Sequence, residues 1–192
     1  MDLTQGSTAE KQSRASKMMI IVGIVSLVMT FGGLTSAFIV SSSRLDWLND
    51  FVLPKAFTWS TAFILVSSLC LVLARRALKQ NQRQRTSFFV ALTVFSGIAF
   101  MVSQLNGFNQ IIELGYNFTG PTSNITMSYI YVITVLHILH VVAGLISLSV
   151  VLVMNEKGAY SKSAMTGFDM AAIFWHFVDL LWLYLFIFFV TF

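Results

Sequence analysis

Charge is what this sequence has least of. Only 10% of its 192 residues are Asp, Glu, Lys or Arg, while 56% are hydrophobic and the mean hydropathy is +0.78. A water-soluble domain carries about a quarter charged residues, so the composition excludes that class and points to a membrane protein. Cysteine occurs once, at Cys70 within an apolar run, which excludes an internal disulfide and fits a small buried thiol. No secretory signal is expected: the first seventeen residues are polar, and the apolar run after them is too long and has no cleavage pattern. There is also no internal repeat, and no apolar segment is broken near its middle by Gly/Pro, two usual pointers to a transporter site.

What is present is five apolar segments, 18–40, 54–74, 86–106, 127–154 and 170–192, each near the ~20 residues that cross a bilayer as a helix. The expected fold is all-α: a polytopic bundle of five transmembrane helices over residues 18–192, preceded by a cytoplasmic tail, 1–17. Lys11, Arg14, Lys17, Arg75, Arg76, Lys79, Arg83, Arg85, Lys157 and Lys162 fall on one side of this topology. Only Arg44 and Lys55 fall on the other. The positive-inside rule then places the N-terminus inside and the C-terminus outside. The cluster Arg75–Arg85 is read as a topology and lipid-headgroup feature. No aromatic interleaving or motif accompanies it, so nucleic acid is not expected as a partner.

Gly23, Ser26, Thr30, Gly33 and Ala37, spaced 3, 4, 3 and 4 apart, form one stripe of small residues and read as a helix-packing face. In the second helix Ser60, Thr61, Ser67 and Ser68 are able to bond to their own backbone or to a neighbouring helix. Gln104 is expected to be buried, with Asn106, Asn109, Gln110 and Glu113 marking the exit into the headgroups. Two sequons, Asn117-Phe118-Thr119 and Asn124-Ile125-Thr126, carry little weight, because such short matches arise often by chance.

The ionisable residues at membrane depth are few. His137 and His140 share a face of the fourth helix with Gly144, which leaves room for a close neighbour. Trp175, His176, Asp179 and Trp182 share a face of the fifth, and Asp179 is the only acid at that depth. An ionisable residue there costs several kcal/mol unless it is paired or faces protein. At about 1.5 Å per residue, Asp179 lies roughly 15 Å from the inner end, His140 about 20 Å and His137 about 25 Å, with His176 nearer 10 Å. Asp179 is therefore expected to meet the His137/His140 face and to take a histidine, tryptophan or amide hydrogen. Haem ligation is disfavoured, since two histidines three apart on one helix cannot take opposite faces of one haem. A zinc or copper site is disfavoured by spacing and by the same mismatch in depth. A proton relay or a small proton-coupled transporter is the remaining chemical reading. A polar lock that fixes helices and a partner surface, with no catalytic residue and no metal, is preferred to all three.

His137-Ile138-Leu139-His140-Val141-Val142-Ala143-Gly144 resembles the HxxHVxxG signature of subunit III of haem-copper respiratory oxidases. Gly167-Phe168-Asp169, followed by Phe174 to Trp182, resembles the closing motif of the same family. The likeness extends more weakly through Leu53-Pro54, Ser60-Thr61, Ser67-Ser68 and Gln104, over about the whole membrane region. It implies the short five-helix form that lacks the first helix pair of the seven-helix form, with lipids or another small subunit filling that space. It also implies a chain without haem or copper that packs on oxidase subunit I and other oxidase subunits in a bacterial inner membrane. In that setting it supports proton uptake and stability during turnover and binds phospholipid. The complex reduces oxygen to water with electrons from cytochrome c or quinol. The accessory protein of nitric oxide reductases shares the fold and the closing motif. Where many members carry membrane glutamates, this chain has Leu27 and Gly107, so no role of those carboxylates transfers.

Overall fold

A computed structural model of the chain describes residues 8–44, 47–48, 53–116, 124–161 and 165–192. Among them are five long helices: α1 (Thr8–Ser41), α2 (Lys55–Lys79), α3 (Arg83–Glu113), α4 (Ile125–Glu156) and α5 (Thr166–Thr191). All five are long and apolar enough to cross a membrane. The helices outrun the apolar segments. α1 starts ten residues before Met18, because Thr8 to Lys17 contains no helix breaker, and Lys11, Arg14 and Lys17 continue the helix as an exposed extension. The apolar boundary at Met18 therefore does not coincide with a helix end.

The ends follow local rules. Pro54 precedes α2, and the α2–α3 turn places Asn81 at φ 55°, a left-handed conformation that its short polar side chain tolerates. α3 and α4 stop at Gly115 (φ 88°) and Gly158 (φ 76°), where the following amides, Tyr116 N–H and Ala159 N–H, donate back to Ile111 and Met154 carbonyls. Asn124 caps α4, its side chain accepting from Thr126 N–H at 2.9 Å, and the Thr126 hydroxyl oxygen accepts from Leu48 N–H. The second sequon is thus engaged in structure; the first lies outside the described residues.

Around the bundle, α5 packs on α1, α2 and α4, while α3 packs on α2 and α4. The outer surface is an apolar belt in which Leu69, Phe95, Leu139, Leu180 and Val190 are exposed. That arrangement suits lipid, because each helix satisfies its own backbone and needs no water. The core is aromatic and built in two layers. In the first, Trp175 of α5 lies in a slot floored by Gly97 of α3 and Gly144 of α4. A Cβ at either glycine would meet the indole at 2.8 Å. In the second, Phe57 lies over Gly107, where a Cβ would meet its ring at 2.5 Å, and Phe57 stacks on Trp182.

α1 is the least integrated helix. It inserts Phe31 and Phe38 and presents Ile20, Ile24, Leu27 and Leu34 toward the bundle. The small-residue stripe lies about a third of a turn away from that face. Gly23, Ser26, Thr30 and Gly33 are exposed, and Cβ atoms at Gly23 and Gly33 would meet nothing. The bulky face wins inside this chain because Phe31 and Phe38 fill space between α4 and α5 that small residues would leave open.

Gly144→Ala is expected to destabilise the protein by about 1–3 kcal/mol, since the indole it meets is boxed in on three sides. Gly33→Ala should be neutral in the isolated chain. Thermal unfolding of the two detergent-solubilised variants checks the contrast.

Candidate functional site: a polar seam around two tryptophans

The hydroxyls of α2 and the closing motif of α5 form one seam. Trp175 Nε1–H donates to Ser67 Oγ at 3.0 Å, and Trp182 Nε1–H donates to Thr61 Oγ1 at 3.0 Å. Ser68 Oγ bonds His176 Nδ1 at 2.8 Å, and Arg75 Nε–H donates to Asp169 Oδ1 at 2.9 Å. These pairs march in opposite directions along the two helices, so one antiparallel register accounts for all four.

Three of the α2 hydroxyls satisfy two demands at once. Ser67 donates to Ile64 O and Thr61 to Phe57 O, so each proton is held by its own helix while a lone pair accepts from an indole across the seam. Ser60 does the same, donating to Phe57 O and accepting from Gln104 Nε2–H of α3 at 3.0 Å. The sequence reading allowed own-backbone or cross-helix bonding; the seam uses both. Buried polar groups in lipid need partners.

The sequence-predicted residues separate into two neighbourhoods. His137 is wholly buried between aromatic rings, with centroids 5.2 Å from Trp182, 6.0 Å from Phe100 and 6.4 Å from Phe31. His140 is half-buried, its Nδ1–H donating to the Leu136 carbonyl at 2.7 Å; because a carbonyl only accepts, this fixes the proton on Nδ1. Asp179 is 5% exposed and faces α2, opposite Ile64, with Thr61 and Ser68 a turn to either side. The expected hydrogen bond from a histidine, tryptophan or amide to Asp179 is not formed. Neither oxygen of Asp179 has a close hydrogen-bond partner, and both nearby indole N–H groups are taken by α2 hydroxyls. The face shared by Trp175, His176, Asp179 and Trp182 is wide enough to touch two neighbours. Its tryptophans turn inward and its polar pair turns to α2.

Gly144 is covered by Trp175, and Gln104 is buried, while Asn106, Asn109, Gln110 and Glu113 are exposed at the far end of α3. Leu27 and Gly107, at the positions of the absent glutamates, are apolar packing sites: Leu27 lines a groove with Phe174, and Gly107 floors the Phe57 ring. The packing roles of Gly97 and Gly107 were not anticipated from sequence. Their spacing with Phe100 and Gln104, on one face of α3, was the available signal.

At the end that carries the α2–α3 turn, Asn155 Nδ2–H donates to Ser87 Oγ and Arg83 O, and Tyr160 covers Gly167. Burial raises the Tyr160 phenol above its ordinary pKa, so it stays protonated at neutral pH. Among the described residues no three His, Cys, Asp or Glu side chains converge as a metal site would require.

This geometry defines a class first: a multi-pass membrane protein whose interior is packed with aromatic rings and held by short polar bonds. The family model for cytochrome c oxidase subunit III matches residues 3–192. The chain belongs to the cytochrome c oxidase subunit III family, and so to the subunit III proteins of haem-copper oxidases, which associate with other oxidase subunits. Among relatives, cytochrome c oxidase subunit 3 of Thermostichus vulcanus is 29% identical over 171 residues, 87% of this chain and 82% of the relative. That of Drosophila melanogaster is 32% identical over 139 residues, 72% of this chain and 50% of the relative, so the chain spans about half of the insect protein's length. Cytochrome bo(3) ubiquinol oxidase subunit 3 of Pseudomonas putida is 27% identical over 162 residues, 84% of this chain and 74% of the relative.

Two substitutions separate the firmly bonded from the loosely held members of the seam. Ser67→Ala strands the Trp175 N–H and is expected to cost about 1–3 kcal/mol. Asp179→Asn removes a carboxyl whose one polar neighbour on α2, Ser68, is also bonded to His176, and is expected to leave the melting temperature of the isolated chain unchanged or higher. A clear loss of stability in the purified chain would show that Asp179 has a firm partner within it.

Proposed function

We propose that this chain is a redox-inactive accessory subunit of a proton-pumping cytochrome c oxidase in a bacterial inner membrane. It packs on subunit I and supports proton uptake and the stability of the turning-over complex. The observation that carries the reading is the state of the three histidines. His137 is walled in by Phe31, Phe100 and Trp182, His140 donates to its own helix, and His176 is bonded to Ser68. None of them pairs with another across a gap that a haem would occupy. Residues arranged in this way lock helices together and leave redox chemistry to a neighbouring subunit.

The orientation that follows from Lys and Arg placement puts the N-terminus and the α2–α3 turn in the cytoplasm. The stripe Gly23, Ser26, Thr30, Gly33 and Ala37, exposed except at the half-buried Ala37, offers α1 as a flat surface to a partner's helix. Ser26 and Thr30 donate to their own backbone at Val22 and Ser26, which leaves that surface without polar demands. Beside it, an apolar groove of about 870 Å³ between α1 and α4, lined by Met29, Gly33, Leu34, Val135 and Leu139, has the character of a phospholipid acyl-chain site. The second reading is a quinol oxidase subunit III, favoured by the relatives named cytochrome bo(3) ubiquinol oxidase subunit 3. A nitric oxide reductase accessory protein and a proton-coupled transporter are the remaining alternatives.

Affinity purification of the tagged chain from its membrane tests this. The expected result is a complex with a haem-bearing subunit that oxidises cytochrome c and consumes oxygen, with faster inactivation during turnover when the chain is deleted. Oxidation of quinol but not cytochrome c transfers the assignment to the second reading. A haem-free oligomer of this chain alone overturns both.

A further inference from the structure

The α3–α4 seam contains buried polar atoms that the aromatic packing leaves unsatisfied: Gln104 Oε1, Thr134 Oγ1 and both ring nitrogens of His137. They belong to one place. Phe100 meets His137 at 6.0 Å and Phe108 stacks on Tyr131 at 5.0 Å, which fixes the antiparallel register of the two helices. Gln104 lies midway between the two phenylalanines, and Thr134 midway between His137 and Tyr131, so the two face each other. Helical side chains lean toward their own N-terminus, which brings Gln104 and His137 together from opposite directions.

The local chemistry settles which atoms need what. Ser60 gives its proton to Phe57 O, so toward Gln104 it only accepts. The amide is therefore held with Nε2 toward Ser60 and Oε1 away from it, in need of a donor. Buried Thr35, Thr61 and Thr93 each donate to their own helix at the residue four back. Thr134 does not, and its hydroxyl is free to donate toward the seam. A neutral imidazole carries one acceptor nitrogen.

We propose that a single buried water molecule binds between α3 and α4, donating to Gln104 Oε1 and to the unprotonated nitrogen of His137, and accepting from the Thr134 hydroxyl. Three hydrogen bonds are the usual complement of a buried water, and of the four unsatisfied atoms they leave only the protonated nitrogen of His137 without a partner. The water supplies at mid-helix the polar tie that Asn155 provides at the basic end of the same seam.

The test is a cryo-electron microscopy map of the full chain in its purified assembly, at a resolution that shows ordered waters at the helix ends. The expected peak lies about 2.7–3.2 Å from Gln104 Oε1, Thr134 Oγ1 and a His137 nitrogen. A direct bond between Gln104 and Thr134 or His137, or the absence of any peak, overturns the proposal. A thermal double-mutant cycle with Gln104→Met and Thr134→Val provides an independent readout. In the cycle the lost Ser60 bond cancels, because it is missing from both Gln104→Met arms. Two residues that share a water but not a bond should lose less together than the sum of their separate losses. Strictly additive losses overturn the shared site.

Discussion

The fold depends on one insertion: the Trp175 indole driven between two helices whose backbones are bare at that point. In lipid, burying apolar surface gains nothing, because the tails are as apolar as leucine. Helix association then rests on close packing and on hydrogen bonds. Trp175 uses both. Gly97 and Gly144 let α3 and α4 contact the ring with no Cβ between, and Ser67 takes the indole proton, so one side chain joins four helices. Trp182 repeats the arrangement about two turns on, with Thr61 as acceptor and Phe57, itself seated on Gly107, stacked against it. Dispersion contacts and short bonds replace the hydrophobic effect that holds a soluble core together.

The same constraint explains the composition of α2. Its serines and threonines are not a hydrophilic path. A hydroxyl in a helix is able to return its proton to a carbonyl three or four residues back and still offer a lone pair. Ser60, Thr61 and Ser67 therefore act as acceptor sites spaced along a helix that is otherwise apolar. Donors from α5 and α3 come to meet them: the single N–H of each indole and one N–H of the Gln104 amide.

The five helices were legible in the sequence because length and apolarity alone decide whether a segment crosses a bilayer, and all five segments appear as helices. The resemblance to subunit III was legible because its two motifs hold the residues the packing uses most: Gly144, Trp175 and Trp182. Two features were not legible. The width of the α5 face hid the fact that its tryptophans and its polar pair go to different neighbours, so depth matched Asp179 to His137 while its carboxyl turns to α2. On α1, small-residue spacing competed with a bulky face of similar period, and pattern alone does not say which of two faces the rest of the chain will take. Phe31, whose insertion decides it, is an unremarked aromatic in an apolar run.

His140 and His176 each have a close hydrogen-bond partner, whereas His137 and Asp179 have none within the described chain, and these two groups differ in kind. His137 is enclosed by rings from three helices at the centre of this chain's own packing. Asp179 lies on the α2–α5 seam among groups already engaged elsewhere. A carboxyl in a membrane is costly unless protein groups compensate it, and here only the Ser68 hydroxyl does so. The four strong cross-helix bonds of that seam form without it, and its own tie to α2 is the looser one to the Ser68 hydroxyl that His176 already holds. The tryptophans of the closing motif are explained by the fold of this chain. Its aspartate joins the same seam through Ser68, as the weakest of its polar ties.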